Sequence, residues 1–374
     1  MKISVNQKIA EGRNYFGTYK SDAGFFNCIK SIEEATNRID CPINELKIID
    51  IDSSNCRNIP ENIFYTAKNS SGFVLKFNDQ YFALRNESIA NLVNRAIPGN
   101  ASLQHLSKSS IQKVLNICLK EIKEDKGAKI IQLGDYAISV LSDDYRPIDA
   151  HQVFKAANKK IKKIGGEFSS GEASIDYFSC KWIINNDELV SEYKKSFDGR
   201  DWNVKPILSV TTSNTGFSAV NITPKFQNSH CEFIIGKPLS VAHKGEGSVE
   251  NVSEKLENIY AIFQKSIADL NKLKDIIIAY PINTFKNVAK AIGLQKKYAL
   301  LALQDFESFI DDEPIITAHD IYMGLTEAIY YGSKDTRNKR SNDDMQEIVA
   351  RAITVDWSKY DLPVSDWNVS TVAN

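Results

Sequence analysis

Five lysines crowd one amphipathic stretch: Lys155, Lys159, Lys160, Lys162 and Lys163. At about 100° per residue, Lys155, Lys159 and Lys162 form one stripe, opposite the apolar Phe154, Ala157, Ile161 and Ile164. Tyr177, Phe178, Lys181 and Trp182 follow on the next strand-like run. Ammonium groups beside aromatic rings suit a sequence-independent grip on single-stranded nucleic acid, cation on phosphate and ring on base. A second basic run, Lys334, Arg337, Lys339 and Arg340, occupies a polar stretch. These residues make up the candidate interface: Lys155, Lys159, Lys162, Lys163, Lys181, Trp182, Arg337, Lys339 and Arg340. The plainer alternative is a solvated helix face, a buried strand and a soluble connector.

Other reactive side chains read as structural. His230 and Cys231 are neighbours, and adjacent strand residues face opposite ways. His243 lies 12 residues beyond Cys231 and precedes a helix, where it orders a turn. Asp143, Asp144 and Asp149 offer carboxylates for Mg²⁺, but Asp149 also fits a helix N-terminus and Asp143 a strand-end turn. His319 belongs to a helix start, with Thr317 as cap and Asp320 in the first turn. The chain has no Gly-x-Ser-x-Gly elbow, no phosphate loop and no Gly-x-Gly-x-x-Gly. No cofactor, metal site or catalytic residue is therefore assigned. An enzyme would need a deep pocket where His243, Asp144 and Tyr145 converge.

The elements around these residues alternate between strand and helix signals. Phe25–Ile39 reads as a short helix and Glu45–Ile51 as a strand. Gly72–Phe77 and Tyr81–Leu84 flank a three-residue turn, Asn78-Asp79-Gln80. Asn86–Arg95 is helical, and Ser109 is positioned to cap the next helix. Lys129–Leu133 and Tyr136–Leu141 flank Gly134-Asp135, a two-residue hairpin turn. Pro147-Ile148-Asp149 opens the lysine helix, and Gly165-Gly166 closes it. Ala173–Asn185, Ile207–Thr212, Ser218–Thr223 and Cys231–Ile235 are strand candidates. Val249–Ala279 reads as one long helix with Val252, Leu256, Ile259, Phe263, Ile267, Leu270 and Leu273 at helical spacing. Further helices cover Thr284–Ile292, Leu294–Phe309, Ala318–Tyr331 and Asn342–Ile353.

The expected fold class is α+β: a mainly antiparallel sheet with flanking helices, then a helical C-terminal region. The expected divisions are an N-terminal extension or subdomain (1–60), an α+β body (61–247), a helical region (248–354) and a tail (355–374). The long helix is also a candidate surface for homo-oligomers.

The 374 residues carry 46 Lys plus Arg against 47 Asp plus Glu, a net charge of −1. That balance excludes a globally basic coat and an acidic disordered chain, and leaves local basic patches. Six scattered cysteines in so large a chain point to free thiols in a reducing cytoplasm. The N-terminus lacks a signal-peptide apolar core, and no apolar run reaches the ~20 residues of a membrane span. A cytoplasmic protein without a membrane partner is expected.

Lys129–Phe154 resembles an element of the domain-of-unknown-function family numbered 932, which is carried by phages, prophages and plasmids. The matching features are Gly134-Asp135, Ser142-Asp143-Asp144-Tyr145 and Ile148-Asp149. Ser213–Ala219 is similar to the family's Ser-x-x-Gly-x-Ser-Ala turn, Cys231 to its cysteine, and His243-Lys244-Gly245 to its His-x-Gly. Leu84–Pro98 resembles its upstream helix. The likeness spans roughly residues 80–330; the Asn-Gly that follows the family's cysteine is absent here, so its role is not carried over. The resemblance implies an accessory protein of a mobile element and, by analogy, a relation to single-strand annealing proteins. The sequence-based function is thus single-stranded nucleic-acid binding or annealing in DNA transactions. The alternatives are an interaction protein that inhibits a host factor such as a defence enzyme, and an enzyme with an unrecognised site.

Overall fold

The computed structural model describes residues 15–97, 103, 105–123, 125–194, 204–228, 231–245, 247–310, 313, 315–335, 342–365 and 367. Thirteen strands among them build two sheets: β1 (Tyr15–Tyr19), β2 (Thr36–Pro42), β3 (Lys47–Asp50), β4 (Phe73–Phe77), β5 (Gln80–Leu84), β6 (Gly127–Leu133), β7 (Tyr136–Ser142), β8 (Gly166–Ser174), β9 (Phe178–Ile184), β10 (Lys205–Thr212), β11 (Val220–Gln227), β12 (Glu232–Ile234) and β13 (Leu239–Val241). The larger sheet runs β1-β8-β9-β10-β11-β12, with β13 also on β11, and is antiparallel throughout. The smaller runs β2-β6-β7-β5-β4-β3, with β5 and β7 its parallel pair.

The helices are α1 (Asp22–Ala35), α2 (Glu61–Lys68), α3 (Asn86–Ala96), α4 (Lys108–Lys120), α5 (Ala150–Lys163), α6 (Asp187–Lys194), α7 (Val249–Glu257), α8 (Ile259–Lys272), α9 (Pro281–Ile292), α10 (Lys296–Ile310), α11 (Ala318–Lys334) and α12 (Asn342–Ala350). The fold is α+β, with antiparallel pairing dominant and a helical C-terminal region. No described helix is long and apolar enough to cross a membrane.

Local chemistry accounts for several boundaries. The β6–β7 hairpin turns through Gly134-Asp135 with Leu133 opposite Tyr136, and Gly134 adopts φ 59°. The β4–β5 turn is tighter than expected: Phe77 pairs with Gln80, and Asn78 takes the left-handed conformation. Asp149 caps α5 by accepting from Gln152 N at 2.9 Å. Ser107, not Ser109, caps α4, accepting from Ser110 N. Thr317 and Asp320 form a reciprocal capping box on α11.

Longer sequence assignments are corrected too: the Phe25–Ile39 helix ends at Ala35, and Thr36–Ile39 belong to β2. Ala173–Asn185 is not one strand: Ile175–Tyr177 turns the chain, with Ser174 N donating to Tyr177 O at 2.9 Å. Nor is 249–279 one helix. It breaks at Asn258, ends as a 3₁₀ turn at Leu273–Asp275, and becomes extended where Ile277 bridges Thr317. Three consecutive isoleucines, Ile276–Ile278, favour that extended path over helix.

Strands on either side of the expected division at residue 60 pair with one another. Residues 15–60 supply an edge of the large sheet through β1 and both edges of the small sheet through β2 and β3. The boundary at 247 is bridged as well, because one hydrophobic core joins the large sheet, α1 and α5 to the C-terminal helices. Val252, Leu256, Ile259, Phe263, Ile267, Leu270 and Leu273 are all buried in that core. The stripe offered for homo-oligomers is consumed within the chain. Two smaller cores flank the small sheet, one under α3 and α4 and one under α2.

Candidate nucleic-acid interface

Helix α5 lies on the large sheet between α1 and α7. Phe154 meets Phe25 edge-on at 5.0 Å, and Val153, Ala157 and Ile161 are buried. The opposite side carries Lys155, Lys159, Lys162 and Lys163, all exposed. The sequence periodicity therefore places the lysine stripe correctly relative to the core. Acidic neighbours take part of its charge. Lys162 Nζ pairs with Asp22 at 2.8 Å, and Lys160 with Glu257. The Lys162 bond outweighs burial in holding the Asp22 carboxyl below its usual range. Lys155 also helps keep His151 neutral, second to burial in lowering its pKa.

At the C-terminal end of this face is a cleft of about 420 Å³. Lys20, Lys162 and the half-buried Phe168 line it, together with Asp22 and Glu167. Phe168 sits on β8, its ring edge-on to Trp182 at 6.5 Å. Sequence reasoning missed Lys20 and Phe168. Phe168 lies in a polar run, Gly166–Ser174, with little strand signal, and only the pairing of β8 with β9 brings it beside α5.

Trp182 and Lys181 are not part of this face. Trp182 is fully buried, and its Nε1 donates to Asn158 Oδ1 at 2.9 Å. A ring closed in the core cannot stack on a base. Lys181 points to the other side of β9 and is ion-paired with Glu232 at 2.6 Å. Arg337, Lys339 and Arg340 lie outside the described residues, as does His230.

The other side of the large sheet is polar and largely covered. Ser179 and Lys181 of β9, Ser209 and Thr211 of β10, and Thr223 and Lys225 of β11 alternate with the core residues. Lys225 is ion-paired with Asp343 of α12 at 2.9 Å, and the Tyr177 hydroxyl donates to the same carboxylate. Burial works against ionising Asp343, but Lys225, Tyr177 and Lys181 bring its pKa down to about 2. The period-two polar positions in Ile207–Thr212 and Val220–Gln227 are the signal by which this face can be read from sequence.

Tyr145, Ser213 and His243 meet between the ends of β7 and β10. His243 stacks on Tyr145 at 5.1 Å. Its Nδ1 lies 3.3 Å from the Arg146 carbonyl and its Nε2 3.3 Å from Thr212 Oγ1. A carbonyl only accepts, so Nδ1 carries the proton and Nε2 accepts from Thr212. Burial lowers the His243 pKa, which keeps the ring neutral. The Tyr145 hydroxyl donates to Ser213 O at 3.1 Å, and Asn214 donates to Glu33 at 2.9 Å. Glu33 also accepts from Ala150 N at 3.0 Å and pairs with Arg38 at 2.8 Å. Both His243 nitrogens have hydrogen-bond partners and Asp144 is exposed, so His243 and Tyr145 tie these loops together.

The six cysteines form no disulfide with one another. Burial pushes the thiols of Cys41 and Cys231 up to about 12 and removes them from thiolate chemistry. No group of three potential metal ligands occurs among the described residues. No family model matches the chain, and no curated protein or solved structure matches it either.

Proposed function

We propose that the protein binds single-stranded nucleic acid without sequence preference along the exposed face of α5. The observation that carries this reading is the row Lys155, Lys159 and Lys162 leading to a cleft that pairs Lys20 with Phe168. From Lys155 to Lys162 the helix rises about 10 Å, a length over which a strand offers successive phosphates to ammonium groups. Phe168 supplies the ring for base stacking, and Lys162 can exchange its partner Asp22 for phosphate. On this reading the chain is an accessory protein of a phage or plasmid acting in DNA transactions, in keeping with the resemblance over residues 80–330. Anisotropy titrations of labelled single-stranded oligonucleotides at several salt concentrations test it. Binding should occur, weaken with salt and vary little between sequences; no shift at low salt would rule the reading out.

A further inference from the structure

A second cleft lies on the polar side of the large sheet, away from α5. It encloses about 210 Å³, and its lining includes Lys181, Glu232, Tyr330 and Gln346. Gln346 is 3% exposed, yet its carbonyl Oε1 has no hydrogen-bond partner. A buried carbonyl left unpaired is costly, and the Gln346 side chain borders the cleft, where a ligand N–H that reached Oε1 would satisfy it. The Lys181–Glu232 pair, at 2.6 Å, sits beside it. That ammonium has further protons to give, and the carboxylate has further lone pairs. Tyr330 adds an aromatic ring that is 37% exposed.

We propose that this cleft binds a single nucleobase. A base edge carries N–H donors next to a carbonyl or ring-nitrogen acceptor. Glu232 and Gln346 accept from such donors, Lys181 donates to the acceptor, and Tyr330 stacks on the ring. Lysine, glutamate and glutamine are side chains that read base edges elsewhere, and aromatic stacking completes recognition of an unpaired base. The volume suits one planar ring system. Glu232 neutralises Lys181, so the cleft has little attraction for a phosphate. The site is separate from the α5 face, and the two stand or fall independently.

Calorimetric titration of the full chain with guanosine, adenosine, cytidine and uridine tests the assignment, with ribose as the baseless control. At least one nucleoside should bind saturably while ribose does not. Gln346→Leu and Glu232→Gln should each weaken that binding about tenfold or more. Gln346→Leu removes an unpaired buried carbonyl, so its Tm should hold or rise, separating lost recognition from lost folding. Changing Lys155, Lys159 and Lys162 to Ala should leave nucleoside binding intact. Displacement by a homo-oligonucleotide of the same base would identify the ligand as a base within a strand; failure to displace would identify a free nucleoside. Absence of binding by all four nucleosides, equal binding of ribose, or binding unchanged in both variants would overturn the proposal.

Discussion

Trp182 Nε1 donates to Asn158 Oδ1 at 2.9 Å inside the core, fastening the lysine helix to the large sheet. Asn158 Nδ2 in turn donates to Asp22 at 3.3 Å, and Asp22 holds Lys162 at 2.8 Å. A continuous set of contacts thus runs from the middle of β9 to the basic surface. The tryptophan acts on the candidate interface by positioning it.

Trp182→Ala should therefore cost about 3–5 kcal/mol of stability in denaturant unfolding. Trp182→Phe keeps most of the volume but orphans Asn158 Oδ1, and should cost about 1–3 kcal/mol. Neither should alter the salt dependence of strand binding in the protein that remains folded. A Trp182→Ala variant as stable as the parent would contradict the buried placement.

Arg85 and Asp176 make the second test. Arg85 follows β5 of the small sheet, and Asp176 lies in the β8–β9 turn of the large one. The guanidinium donates to both carboxylate oxygens, at 2.6 and 3.0 Å, with the Arg85 side chain only 3% exposed. Breaking a pair of this kind leaves an uncompensated charge. Arg85→Met should cost about 3 kcal/mol, toward the lower end for such pairs because Asp176 retains some solvent. Asp176→Asn added to Arg85→Met should recover part of that loss, measured as a double-mutant cycle. Strictly additive losses would show that the two residues do not act together.

Asp343 makes the fold sensitive to acid. Its folded pKa of about 2 lies below the unfolded value near 3.8. The unfolded state then binds the proton first, so the contribution is fully present above about pH 4 and disappears as pH falls through 2. Its size is on the order of 2 kcal/mol. Asp343→Asn should be destabilised at neutral pH, where it also leaves Lys225 buried and unpaired. The gap between parent and variant should stay constant from pH 7 to about 5 and shrink toward pH 2. A gap that does not change with pH would refute this role for Asp343.

Sequence legibility followed the range of the forces involved. The β6–β7 hairpin and the α11 capping box depend on residues a few positions apart, and both are visible in the chain. The opposed directions of Lys181 and Trp182 follow from strand alternation. Which of the two faces inward depends on where α5 docks, more than 20 residues away. β8 reads as Gly-Glu-Phe-Ser-Ser-Gly-Glu-Ala-Ser, with little apolar alternation, because pairing with β1 and β9 sustains it. The apolar stripe of α7 and α8 was plain in sequence, but its partner within the chain was not. The cleft at Lys20 and Phe168 joins segments about 150 residues apart, and no local pattern announces it.

The lysine face gives the most direct test of function. If Lys155, Lys159 and Lys162 each contact a phosphate, each adds about 0.7 to the slope of log affinity against log salt. Changing all three to Ala should flatten that slope by roughly 2 and weaken binding alike for all sequences. Stability should change little, because exposed charges contribute little. Removing Lys162 also frees Asp22, whose remaining partners are Ala23 N and Asn158. Phe168→Ala should weaken binding while leaving the slope intact, since stacking releases no counterions. It should also cost about 1–2 kcal/mol of stability, because the ring packs against Trp182 and Phe26. A triple lysine variant that binds strands as tightly as the parent, with the same slope, would remove α5 as the interface. The interaction-protein reading would then take precedence.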